Sequence, residues 1–149
     1  MSYISFRPVE VDGQLWGLKE LPKKAHNDDA GWDLCSAETK SIGRDEMSIV
    51  RTGVSVLIPR GHVGLVSVRS SIGKQGMMLA NAPGIIDAGY LGEIMLLIYS
   101  TKYHYLRRGD RIAQLTVLRL ADVGAVRYSS PGWDITTERG DGGFGSSGV

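Results

Sequence analysis

The sequence predicts an all-β domain of the sandwich or jelly-roll type, and three observations carry that reading. Twenty glycines are spread through 149 residues. The apolar residues fall in short runs rich in β-branched side chains, and Gly, Pro, Asn and Asp separate those runs at turn-like intervals. Only residues 72–79 offer a possible short helix, too little for alternating strands and helices. Short strands with frequent turns belong to sandwiches and jelly rolls. The length fits one domain able to bury its own core.

In chain order, residues 4–11 read as a first strand. Residues 48–58 form a second, through Ile49, Val54, Val56 and Ile58. Residues 62–68 form a third, alternating at Val63, Leu65 and Val66 or Val68, with Pro59-Arg60-Gly61 between the two as a hairpin turn. Residues 92–100 and 111–120 are two further strands, 94–99 reading as buried, and Arg107-Arg108-Gly109-Asp110 between them is a solvated turn. From Pro131 the composition changes to glycine and serine around a single Phe144, which cannot pack a core. The expected organisation is a β domain over 1–130 and a flexible glycine-rich arm over 131–149. Gly140, Gly142 and Gly145 match the dinucleotide-binding spacing, but that motif works only between a strand and a helix. Such an arm is either a loose terminus or a closure over a phosphorylated base, with backbone N–H groups, hydroxyls, Arg139 and a ring to offer.

The charges nearly cancel, 17 basic against 16 acidic for a net of +1, which gives no argument for direct nucleic-acid or membrane-surface binding. One cysteine and three histidines exclude a disulfide framework and argue against a closed Cys/His zinc site. Cys35 is expected to be a small core residue. With no signal-peptide pattern and no apolar run of membrane-spanning length, a soluble cytoplasmic protein is expected.

The chemistry is expected in residues 81–93, NAPGIIDAGYLGE. Asp87 and Tyr90 stand three apart on a Gly-rich turn, so a carboxylate and a ring are presented together, unless the Asp merely caps the turn. Residues 68–76, VRSSIGKQG, offer Arg69 for a bidentate grip on phosphate, Ser70 and Ser71 as donors and glycines for close approach. The lead glycine of a Walker loop is missing, and a basic surface turn is the plainer alternative. In AGWDL, Asp33 is either a metal-side carboxylate or an edge-strand acid. Gln114, within a strand, is either a satisfied core amide or one aimed at a ligand.

Taken together, AGWDL, RSS, NAPGIIDAGYLGE, GDRIAQL and ERGDGGFGSSG resemble, in order and spacing, the five motifs of the homotrimeric dUTPases. The resemblance implies a distorted jelly-roll β-barrel or sandwich. It implies Mg²⁺-dependent hydrolysis of dUTP to dUMP and pyrophosphate, which limits uracil in DNA and supplies dUMP for dTMP synthesis. Asp87 resembles the catalytic acid that deprotonates the attacking water, and Tyr90 the aromatic that packs on the deoxyribose and rejects UTP. Asn81, with backbone from Gly84 to Ile86, resembles the uracil-reading hairpin. Arg69, Ser70, Ser71 and Gln114 resemble phosphate ligands, and Asp33 the acid that meets Mg²⁺ through water. In the arm, Arg139, Phe144, Gly145, Ser146 and Ser147 resemble the residues that close over the nucleotide bound to a neighbouring subunit. The partners implied are dUTP and two further copies of the chain, with an unknown regulatory protein as a further possibility if dUTP binding also serves as a signal.

Two departures bear on that resemblance. Trp32 stands where Tyr is usual, and the RSS turn has the shorter spacing of the related dCTP deaminases. The deaminases use a Glu ten residues beyond the Asp as proton shuttle. Leu97 occupies that position, so the general acid/base of deamination is missing.

Overall fold

The structure is a computed structural model and describes residues 3–15 and 21–125. In chain order its elements are β1 (Ser5–Pro8), β2 (Glu10–Val11), β3 (Gln14–Leu15), β4 (Gly31–Cys35), β5 (Lys40–Ile42), β6 (Glu46–Leu57) and β7 (His62–Val68). There follow α1 (Ser70–Lys74), β8 (Met77–Leu79), β9 (Gly84–Ile86), β10 (Glu93–Ser100), β11 (His104–Leu106) and β12 (Arg111–Arg119). Two four-stranded antiparallel sheets, ordered β1-β6-β10-β8 and β4-β12-β7-β9, carry the fold, and the pairs β2-β3 and β11-β5 are two-stranded ribbons. The result is a jelly-roll-like sandwich of the predicted all-β class, with no closed barrel among the described residues.

The core lies between the sheets. Val50, Val56, Leu96 and Ile98 from one pack with Leu34, Val66, Ile112 and Leu115 from the other, and Ile42, Leu106 and Ile72 close the ends. A smaller cluster joins Val11, Ala37 and Val54, with Cys35 half-buried against it. Burial raises the Cys35 thiol pKa above its ordinary value, and the charge of Asp33 adds to the rise. An apolar setting disfavours the thiolate, as expected of a packing residue.

Several sequence expectations are corrected in detail. Pro59-Arg60-Gly61 does form a turn, with His62 N–H donating to Pro59 O at 3.1 Å and Gly61 at φ +74°. It is not a hairpin, because β6 and β7 lie in different sheets. The expected helix over 72–79 is instead the short α1 followed by β8, with Met77 and Leu79 buried and Met78 outward. The first strand is split at Val9, whose N–H donates to Gly53 O at 2.7 Å. Strand β10 is buried on one face only: Ile94, Leu96 and Ile98 point inward while Met95 is 54% exposed. In β7 the buried positions are Gly64 and Val66, so Val63 and Leu65 belong to the other face. Among the described residues no helix is long and apolar enough to cross a membrane.

Candidate active site

The 81–93 stretch folds as an arch between β8 and β10. Ala80 N–H continues the β8–β10 ladder by donating to Leu97 O at 2.9 Å, the Ala82–Pro83 peptide is cis, and β9 then turns the chain onto the other sheet. Gly84 is buried at that contact, where a Cβ would stand 3.3 Å from Val66 Cβ. A glycine lets β9 lie close on β7. The chain leaves β9 at Asp87 through a turn closed by Tyr90 N–H donating to Asp87 O at 3.0 Å. The turn exposes the Asp87 carboxylate, and the Tyr90 hydroxyl donates to Glu93 O at 2.8 Å. Asn81, Gly84, Ile86, Asp87 and Tyr90 line one pocket of about 240 Å³, floored by Val66, Leu79 and Ile94. The fold therefore gathers in one place every candidate residue of this motif.

The second group sits elsewhere. Asp33 on β4 pairs across the sheet with Gln114 on β12, and Gln114 with Ser67 on β7, so the three share one face. Gln114 Nε2 donates to Ser67 Oγ at 3.3 Å. Asp33 lies on an edge strand, since β4 ends its sheet. Its Oδ1 forms an ion pair with Arg69 Nε at 3.1 Å, and its Oδ2 accepts from Arg111 Nη1 at 3.1 Å. Arg111, inside GDRIAQL, had been given no role. Beyond Arg69, Ser70 and Ser71 form the exposed first turn of α1. Arg69, Ser71, Gln75, His104 and Arg111 line a second pocket of about 370 Å³.

No residue lines both pockets. The register explains why. Gly64 pairs with Ile86, so one further step puts Asp87 level with Val63, six residues from Arg69 along β7. At ~3.3 Å per residue that is about 20 Å. Arg139, Phe144, Gly145, Ser146 and Ser147 lie outside the described residues, as does the whole 131–149 arm. Among the described residues no group of three or more His, Cys, Asp or Glu could hold a metal ion.

An all-β scaffold thus displays an acid and a ring on one turn, and Arg69 ahead of two exposed serines at the start of α1. The comparisons with known proteins identify the family. The dUTPase family model matches residues 18–148. The deoxyuridine 5'-triphosphate nucleotidohydrolase of Mycobacterium tuberculosis (strain ATCC 25618 / H37Rv) is 46% identical over 136 residues, covering 86% of this chain and 87% of the relative. That of Mycolicibacterium gilvum (strain PYR-GCK) is 44% identical over 150 residues, covering 97% and 95%. Among solved structures, the Staphylococcus bacteriophage 80alpha dUTPase with dUpNHpp matches with a TM-score of 0.83 at 26% identity, each chain covered in full (100%). The chain belongs to the dUTPase family.

Proposed function

We propose that the protein is a Mg²⁺-dependent dUTP diphosphatase, converting dUTP and water to dUMP and pyrophosphate, and so limiting uracil in DNA and supplying dUMP for dTMP synthesis. The observation that carries this reading is the arch that presents Asp87 and Tyr90 together at a pocket also lined by Asn81, Gly84 and Ile86. Asn81 and the β9 backbone offer donors and acceptors for a pyrimidine edge, and Tyr90 a flat face for the sugar. Asp87 takes a proton from water as its oxygen bonds to the α-phosphorus; the bond from that phosphorus to the bridging oxygen breaks, and pyrophosphate leaves with the electron pair. Phosphoryl transfer depends mostly on positioning and charge neutralisation. Arg69, Ser70, Ser71 and Gln114 supply both at the phosphates.

Asp33 fits the expected Mg²⁺ role through water. Both of its oxygens already pair with guanidinium groups, yet each keeps a lone pair for a bound water, beside the phosphate turn. Mg²⁺ characteristically retains waters and rides on substrate phosphates, where it would neutralise charge. A dUTPase from phage phi11 of S. aureus coordinates a structural Mg(II) ion.

The roughly 20 Å between Asp87 and Arg69 along β7 exceeds what one α-phosphate can bridge. This separation supports a site completed by neighbouring copies, and we take the assembly to be the homotrimer that the family resemblance implies. In it the 131–149 arm crosses to a neighbour's site. No nucleic-acid or membrane partner is needed, and the setting is the cytoplasm.

The test is pyrophosphate release with Mg²⁺ from dUTP, dCTP, dTTP and UTP in parallel, with the product base identified. Release from dUTP alone, yielding dUMP, supports the proposal. Deamination of dCTP, or tight dUTP binding without turnover, overturns it.

A further inference from the structure

Tyr90 reaches its position through contacts that begin on β6, outside the pocket. Its hydroxyl donates to the Glu93 main-chain carbonyl at 2.8 Å. Its ring lies over Gly92, where a Cβ would stand 2.5 Å from Tyr90 Oη and 2.7 Å from Cζ. The pose of the ring therefore follows wherever the Glu93 carbonyl is fixed.

The Glu93 side chain is held from two sides. Arg51 donates to Oε2 from Nε at 3.0 Å and from Nη2 at 2.6 Å, and Gly53 N–H donates to Oε1 at 2.8 Å. The Glu93 side chain is only 9% exposed. Arg51 Nη2 also donates to Glu10 O at 3.0 Å, and the buried Thr52 hydroxyl donates to Ile94 O at 2.6 Å. Three consecutive residues of β6 thus grip two consecutive residues of β10.

The grip falls where the ladder is irregular. Glu93 pairs with Ser55 and Met95 with Arg51, so two steps along β10 answer to four along β6, and Gly53 takes φ +65° in the excess. A bulge interrupts the regular ladder bonds and re-aims the chain beside it. At this point side-chain bonds, with the single Glu93–Ser55 pairing, take over the work of the ladder.

We infer that the Arg51–Glu93 ion pair is a positioning device for Tyr90 and so sets discrimination at the sugar of the bound nucleotide. Arg51 does not line the pocket and acts only through Glu93. The inference rests on the proposed role of Tyr90 against the deoxyribose. Without Arg51, a nearly buried carboxylate keeps one N–H donor; it turns toward water, the Glu93 carbonyl turns with it, and the Tyr90 ring loses its anchor.

The test uses the full chain and measures kcat and KM for dUTP and UTP alongside thermal unfolding. Arg51→Met is expected to lower the dUTP-over-UTP ratio of kcat/KM by ~10-fold, the scale of a lost packing discrimination, with the change in KM and little in kcat. Arg51→Lys, which keeps the charge, should recover part of the ratio. In a Tyr90→Phe background Arg51→Met should change the ratio no further, because the link to the carbonyl is already cut. A wild-type ratio in Arg51→Met, or an equal fall in kcat for both nucleotides, overturns the inference. If Arg51→Met does not fold, Glu93→Gln carries the same two outcomes, since it keeps an acceptor for Gly53 and loses the charge. Tyr90→Ala separates the layers: an unchanged ratio there removes the sugar role of Tyr90 itself, whereas a collapsed ratio there with a normal one in Arg51→Met removes only the positioning role.

Discussion

Replacing Gly64 with alanine should slow the reaction from inside the core. Gly64 is buried on β7, and a Cβ there would stand 2.9 Å from Leu115 Cδ1, 3.1 Å from Ile86 Cβ and 3.2 Å from Ile58 Cδ1. The two methyl ends can rotate away. Ile86 Cβ cannot, because it is fixed to the backbone of β9. Ordinary carbon contacts lie at about 3.5–4.0 Å, so β9 must retreat by roughly 0.4–0.9 Å. Overpacking of this kind costs about 1–3 kcal/mol, and each kcal/mol lowers the melting temperature of a domain this size by roughly 2–4 °C. Asp87 follows Ile86 directly and moves with it. A misplacement near 1 Å costs on the order of 10²-fold in rate, so roughly tenfold in kcat is expected for about half that shift. Thermal unfolding and steady-state pyrophosphate release from dUTP measure both effects. A variant that melts lower yet keeps wild-type kcat would refute the coupling of β7 packing to Asp87, and one unchanged in both would refute the close approach itself.

Other outcomes follow from the same geometry. Asp87→Asn should bind dUTP normally while turnover falls by ~10²–10⁴-fold, as for loss of a positioned base; wild-type turnover would remove Asp87 from the mechanism. Gly92→Ala should swing the Tyr90 ring outward, where it is already 41% exposed. Its effect should be weaker dUTP-over-UTP selection with at most ~1 kcal/mol of lost stability, the scale of one hydrogen bond, checked by unfolding and paired kinetics. Deleting the chain after Glu138 should leave a folded protein with very weak activity, and a fully active truncation would end the proposed role of the arm. Since burial raises the Cys35 pKa, its thiolate fraction at mildly alkaline pH stays below that of an unfolded thiol. Alkylation should accordingly be much slower in the native protein than in denaturant, and equal rates would contradict the burial.

The sequence made local features legible and left non-local ones hidden. The starts of β7, β10 and β12 could be read within a residue, because Gly61, Gly92 and Asp110 stand directly before the three apolar runs. The strands β5, β8, β9 and β11 are three residues long, too short for periodicity to register, and exist through pairing with distant partners. The turn after β6 illustrates the same limit: Pro-Arg-Gly announces a reversal, but nothing local says that the chain changes sheets there. Asp87 and Tyr90 were legible together because three residues of one turn separate them. Arg51 and Glu93 lie 42 residues apart and meet only across a bulge, so Glu93 went unassigned inside a motif already quoted. Arg111 was missed in the same way, its partner Asp33 lying 78 residues away.

The distance between Asp87 and Arg69 along β7 also bears on how damage spreads through an assembly. Under the shared-site arrangement proposed above, the proton acceptor and the phosphate turn of any one reaction come from different chains. Each chain lends its two ends to different reactions. A single faulty copy then harms sites in proportion to its neighbours, whereas two copies faulty at opposite ends of β7 can leave one intact pairing between them. In that arrangement the working unit would be the junction between chains, and activity is expected to fall on dilution while every protomer stays folded.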